Sequence, residues 1–287
     1  MQLYLSKYDV SLLCLATARP PQNNRIRMAR KPYIVIDKEY IGLKPFIETL
    51  PSHPHGERVL YDKRNFVQLF TVDGIRLVVK QYVRPHRINR FAYAYIRKSK
   101  AERTMSIGRQ LLKLGINTPL PVAFIDTYGK GGLYDIGYSI TLFDTDPELR
   151  SIVQLDPQEQ LAVVEQLAQF TAHMHRSGFF HNDCHEGNIF FGRNEDGTYR
   201  FSLIDTNRGR FRRMRRKRCI KDLILFNFDD RLMKRFIYTY AELMGWHPQL
   251  TFNAVLHLRE WRRFDKSRLR PFLKHLVGIK PKHAKDE

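Results

Sequence analysis

The segment His181-Asn182-Asp183-Cys184-His185-Glu186-Gly187-Asn188 places a histidine, a carboxylate and a carboxamide within eight residues. A second carboxylate, Asp205, follows directly on the apolar run Phe201-Ser202-Leu203-Ile204. Far upstream, Lys80 stands near the end of the apolar stretch from Ile75 to Tyr82. Mg²⁺ prefers hard oxygen donors and keeps several waters, so one or two side chains plus phosphate oxygens complete its shell. Asn188 and Asp205 can supply such oxygens if they converge on one ion. Lys80 is placed as a phosphate-pairing lysine would be, and a carboxylate beside an acceptor hydroxyl completes the requirements of phosphoryl transfer.

The elements that must position these groups are legible in outline. Arg58 to Tyr61 and Phe66 to Val72 read as strands joined by the turn-rich Asp62-Lys63-Arg64-Asn65. Asp73-Gly74 is a two-residue hairpin signal, and Ile75 to Tyr82 returns as a third antiparallel strand. Ala101, Met105, Gly108 and Leu112 predict a helix ended by Gly115, followed by the extended connector Thr118-Pro119-Leu120-Pro121 and a strand from Tyr138 to Phe143. A longer helix starts at Asp156, with Pro157 at its first position, Glu159 completing a capping box, and a buried stripe of Val163, Leu167, Phe170 and Met174. Strands Ile189 to Gly192 and Phe201 to Ile204 form an acidic hairpin, and the pattern beyond residue 220 is helical. The expected fold is therefore two-lobed α+β: a loose tail over residues 1–27, a small antiparallel β lobe over 28–141 and a larger helical lobe over 142–287. Within the tail, Ser11 to Ala18 has the apolar character of a short signal core, but Lys7, Asp9 and Arg19-Pro20-Pro21 do not fit its flanks, and Met28 is an alternative start.

His181-x-Asp183-x-x-x-x-Asn188 followed by a strand-borne Asp205 resembles the catalytic loop and metal aspartate of the protein-kinase-like superfamily. Within it, Leu114-Gly115-Ile116-Asn117-Thr118-Pro119-Leu120-Pro121-Val122-Ala123, Ile204-Asp205-Thr206-Asn207-Arg208 and the run Lys98 to Arg103 resemble the lipopolysaccharide core kinases, over about residues 57 to 215. That resemblance implies an ATP- and Mg²⁺-dependent kinase acting on a 3-deoxy-D-manno-octulosonic acid (Kdo) or heptose hydroxyl of the lipid A-linked core sugar. Asp183 would be the base, His181 would brace the loop, Asn188 and Asp205 would hold Mg²⁺, and Lys80 would pair with nucleotide phosphates. Glu102, the one carboxylate of its helix, would support Lys80, although relatives would carry that acid two positions on, at Thr104 here. Lys63 and Arg64 would stand in for an absent glycine-rich phosphate loop. His185 occupies the position of a protein-kinase lysine, and no A-P-E segment follows, which points away from a protein substrate.

The formal charge is +20, and three basic runs (84–103, 208–218 and 259–285) hold 25 of the 49 Lys and Arg residues. Such a surface predicts anionic partners, and guanidinium forks suit phosphate and carboxylate. The run that includes Arg208, Arg210, Arg212 and Arg213 begins three residues after Asp205, where an activation segment would meet an acceptor, so a glycolipid is favoured over nucleic acid. No uninterrupted span of about 18 apolar residues is present, and the resemblance to the lipopolysaccharide core kinases implies peripheral binding at the cytoplasmic face of the inner membrane. Three scattered cysteines form no disulfide framework, and His181, Cys184 and His185 match no closed zinc cluster. Two alternatives remain: a kinase of soluble small molecules of the aminoglycoside or choline type, and a silent kinase-fold module holding anionic membrane or RNA.

Overall fold

The computed structural model describes residues 30–265. The expected tail and the basic residues beyond 265 lie outside the described residues. The fold is mixed α/β with an antiparallel sheet of six strands, and it divides into two compact units. The first runs to Lys113 and resumes over Thr118–Asp144; the second comprises Leu114–Asn117 and the chain from Thr145 on.

In the first unit, β1 (Tyr33–Ile36), β2 (Arg58–Asp62), β3 (Phe66–Val72), β4 (Ile75–Gln81), β5 (Pro121–Tyr128) and β6 (Tyr134–Leu142) pair in the order β1-β5-β6-β4-β3-β2. The expected meander is present, and its Asp73-Gly74 turn has φ of 51° and 76°. Two positive φ values make the turn twist with its strands, and glycine meets that requirement without a Cβ penalty. Helix α1 (Lys44–Thr49) and the sheet enclose a core that includes Ile47, Leu77, Val79, Val122, Ile125 and Ile140. Among the elements that escaped the sequence pattern, two stand out. β5 is buried along six consecutive residues, so it shows no alternation from which a strand could be read. Helix α2 (Arg87–Tyr95) turns Ile88 and Phe91 outward, the reverse of ordinary amphipathicity. Helix α3 (Lys100–Lys113) buries Leu111 where Leu112 was expected.

In the second unit, α4 (Pro157–Arg176) begins as its sequence dictates: the Asp156 carboxylate accepts the N–H groups of Gln158 and Glu159 at 2.9 and 3.0 Å. Those bonds hold its pKa below the ordinary carboxylate range. Val163, Leu167 and Met174 are buried as expected, while Phe170 is half-buried against Phe201. The short strand β7 (Phe179–Phe180) pairs with β10 (Arg210–Phe211), and β8 (Ile189–Arg193) pairs with β9 (Tyr199–Leu203). Helices α5 (Arg216–Leu223), α6 (Asp230–Leu243) and α7 (Pro248–Phe264) complete the unit.

Gly108 sets how closely α3 lies on β5: a Cβ there would meet Pro121 Cγ at 2.7 Å. Alanine gains about 1 kcal/mol of helix propensity over glycine, whereas overpacking against a proline ring costs about 1–3 kcal/mol. Gly108→Ala is therefore expected to lower the denaturation midpoint; an unchanged or raised midpoint would show that α3 shifts freely on the sheet.

Candidate active site

The loop between β7 and β8 carries His181, Asp183, His185 and Asn188, and the chain returns past it at Asp205. The Ile189↔Leu203 register and the 3.0 Å bond from Ile204 N–H to the Asn188 carbonyl bring Asn188 and Asp205 to the same end of one hairpin. Asn188 is buried; its Nδ2 donates to the Asp183 carbonyl at 2.8 Å and stands 3.2 Å from His185 Nε2. With the nitrogen so engaged, the carboxamide oxygen is the atom left to face a cation. Asp205 adopts a left-handed conformation, φ 53°, and its Oδ1 accepts from Asn207 Nδ2. Asp and Asn tolerate this region better than other residues, so the turn redirects the carboxylate at modest strain. One carboxylate and one carboxamide oxygen fit Mg²⁺ in an open, phosphate-sharing site. Among the described residues, no group of three or more His, Cys, Asp or Glu could hold a metal ion.

The loop is anchored from beneath. Asp222, buried in α5, accepts the His181 N–H at 2.8 Å and the Asn182 N–H at 3.0 Å. Asn182 is the second left-handed residue of the site, φ 62°, and its Nδ2 donates to the Phe180 and Arg208 carbonyls. His181 Nε2 donates to the Ile204 carbonyl at 2.9 Å, tying the loop to the segment before Asp205. Burial holds the His181 imidazole below its usual range despite that bond and the nearby carboxylates of Asp222, Asp205 and Asp183. His175 behaves oppositely. It is fully buried, stacked on Phe180, 2.7 Å from the Tyr240 hydroxyl and 3.6 Å from Asp222. Burial alone would lower its basicity, but contacts with Asp222 and Cys219 outweigh burial and raise it. Burial pushes the Cys184 thiol well up, so it stays protonated and poorly reactive.

Asp183 Oδ2 accepts from Arg208 Nη1 at 2.8 Å. Both side chains are substantially exposed, so this pair orients more than it stabilises. Arg210 folds onto the Gly209 carbonyl at 2.7 Å, while Arg212 and Arg213 are exposed. The first unit holds the remaining residues. Lys80 pairs in register with Val67 and Ser139, its Nζ 5.5 Å from the Tyr82 ring centroid. Thr104 stands 2.8 Å from the Tyr82 hydroxyl. Glu102 lies 3.5 Å from Lys98. Lys63 and Arg64 are exposed in the turn between β2 and β3.

A model of the lipopolysaccharide kinase (Kdo/WaaP) family matches residues 63–243, more than half of the chain. The chain belongs to this family. The kinase is also similar in fold to a solved structure of WaaP in complex with acyl carrier protein. The identity is 19%, the TM-score 0.56, and the match covers 81% of this chain and 98% of that one. Comparison with curated proteins finds no match. The shared fold bears out the protein-kinase-like, two-lobed α+β class expected from the loop motif.

Two residues of this kinase's site escaped sequence reasoning. Asp222 is the only acid between Asp205 and Asp229, just beyond the basic run 208–218, and that isolation was the available signal. His175 reads from sequence as an ordinary helix-end histidine and is instead buried against Asp222. Because its folded basicity is raised above the ordinary 6.5, the stability it contributes is full below that value and lost as pH rises through the raised one. His181, lowered, acts in the other direction. In urea denaturation, the advantage of the wild type over His175→Gln should be largest below about pH 6 and shrink as the pH is raised beyond the ordinary histidine range. The same slope surviving in Asp222→Asn would place its origin elsewhere.

Proposed function

We propose that this lipopolysaccharide kinase uses ATP and Mg²⁺ to phosphorylate a hydroxyl of a Kdo or heptose residue in the lipid A-linked inner core. The observation that carries the reading is the hairpin register that holds Asn188 and Asp205 at one end, beside a loop whose Asp183 carboxylate is oriented by Arg208. Asp183 takes the proton of the acceptor hydroxyl. Arg208 occupies one carboxylate oxygen and leaves the other for that hydroxyl. Asn188 and Asp205 would hold Mg²⁺, which supplies charge neutralisation at the phosphates when bound. Lys80 pairs with the nucleotide phosphates, with Glu102 as its supporting acid and Lys63 and Arg64 as further phosphate contacts. His181 and Asp222 keep the loop in register rather than touching the reacting atoms.

The location of such an acceptor supports peripheral docking on the cytoplasmic face of the inner membrane, and α2 supplies the means. Ile88, Phe91, Tyr95 and Ile96 recur at the i, i+3, i+7, i+8 spacing and are 85%, 52%, 40% and 70% exposed. Arg87, Arg97 and Lys98 are exposed beside them. An apolar stripe between cations fits an anionic lipid surface, where each basic residue contributes about 1 kcal/mol. Among the described residues, no helix is long and apolar enough to cross a membrane.

Asp183→Asn is expected to reduce phosphate transfer from labelled ATP to Kdo-lipid A by about 10²- to 10⁴-fold; transfer at the wild-type rate would reject the base. Ile88→Asp with Phe91→Asp should abolish co-sedimentation with phosphatidylglycerol vesicles while leaving the melting temperature unchanged. Vesicle binding that persists in that double variant would remove α2 from the docking surface.

A further inference from the structure

A cavity of about 380 Å³ opens beside Asp183 in the second unit. Its walls include His185 and Glu186 from the loop, Phe226, and three arginines of α7, Arg259, Arg262 and Arg263. Ligand clefts run from roughly 300 to 1,000 Å³, so this one has room for a sugar residue rather than a long oligosaccharide. The three arginines share one face of α7, at i, i+3 and i+4.

The charges in this cavity are not balanced. Three guanidiniums face two carboxylates, and Asp183 is already held by Arg208, while Glu186 accepts the Asn227 N–H. Among the described residues none of the three arginines makes an ion pair. Burial, and then the neighbouring Arg263, depress the basicity of Arg259, with Asp230 and Glu186 offsetting this in part. Arginine does not give up its proton in response, so the crowding persists until an anion enters.

We propose that this cavity is the acceptor subsite, in which Arg259, Arg262 and Arg263 bind a carboxylate or phosphate carried by the acceptor sugar while its hydroxyl meets Asp183. The proposal deepens the kinase reading and rests on it for the role of Asp183 alone. It replaces the exposed Arg212 and Arg213 as the main anion contacts with arginines brought in from the far end of the chain. It also disfavours polycationic acceptors, which three clustered guanidiniums would repel.

The test is binding, read separately from turnover. Free Kdo, its carboxyl-reduced alcohol and a heptose phosphate are titrated calorimetrically into the full chain and into an Arg262→Gln/Arg263→Gln variant. Kdo or heptose phosphate should bind the wild type with a Kd lower than the neutral alcohol by about 10- to 100-fold, and the variant should lose that preference. Which of the two anionic sugars is preferred identifies the source of the anion. Arg262→Lys/Arg263→Lys should restore part of the preference, which separates charge recognition from helix packing. Equal binding of charged and neutral sugars, a preference unchanged in the glutamine variant, or no sugar binding overturns the proposal. Charge-dependent binding without phosphate transfer to Kdo-lipid A would overturn the catalytic reading and leave the subsite standing.

Discussion

The second unit is organised around one buried carboxylate. Asp222 accepts two consecutive loop N–H groups and stands 3.6 Å from a buried histidine. A charge taken out of water is tolerated only when paired and hydrogen-bonded, and here the two amides and His175 meet that requirement together. A hydrogen bond to a charged group contributes about 1.5–3 kcal/mol, which is enough to hold Asn182 in a left-handed conformation costing about 1–3 kcal/mol. That conformation turns the chain into the segment that carries Asp183 and Asn188. The loop geometry is thus set from below, by a residue that touches none of the reacting atoms.

The hairpin of β8 and β9 is the other fixed point. Its register brings Asn188 and Asp205 to one end, and β10 pairs back onto β7 so that the segment after Asp205 closes around the loop. Arg208 lies in this closing segment and reaches Asp183 from there. A one-residue slip would turn every side chain of the hairpin to its other face, and Phe201 and Leu203, both buried, oppose such a slip. Core packing therefore fixes the spacing of the two oxygen donors.

The chain's excess of cations is distributed among different tasks. Arg109 pairs with Asp37 at 2.7 Å, and Arg200 pairs with Asp146 at 2.6 Å, within their respective units. Arg208 is committed to Asp183. The arginines of α7 face a cavity, and the cations around α2 flank exposed apolar residues. Sequence runs that look alike as composition thus differ in what they can bind, because an anion needs convergence and not merely charge.

The amino-acid order by itself determined the local events: the Asp73-Gly74 turn, the Asp156 cap, the hairpin ending at Asp205 and the spacing of His181, Asp183 and Asn188. Each depends on interactions within a few residues, so propensity, capping and turn chemistry suffice to read it. The central strand β5 was hidden because burial on both faces leaves it no alternation to read, whereas α2 carries a helical spacing of apolar residues and only the fold shows that this side faces outward. Asp222, His175 and the arginine-lined cavity were decided by tertiary structure alone. They join residues forty or more positions apart, and the burial that shifts a histidine or crowds three guanidiniums exists only after the helices have packed.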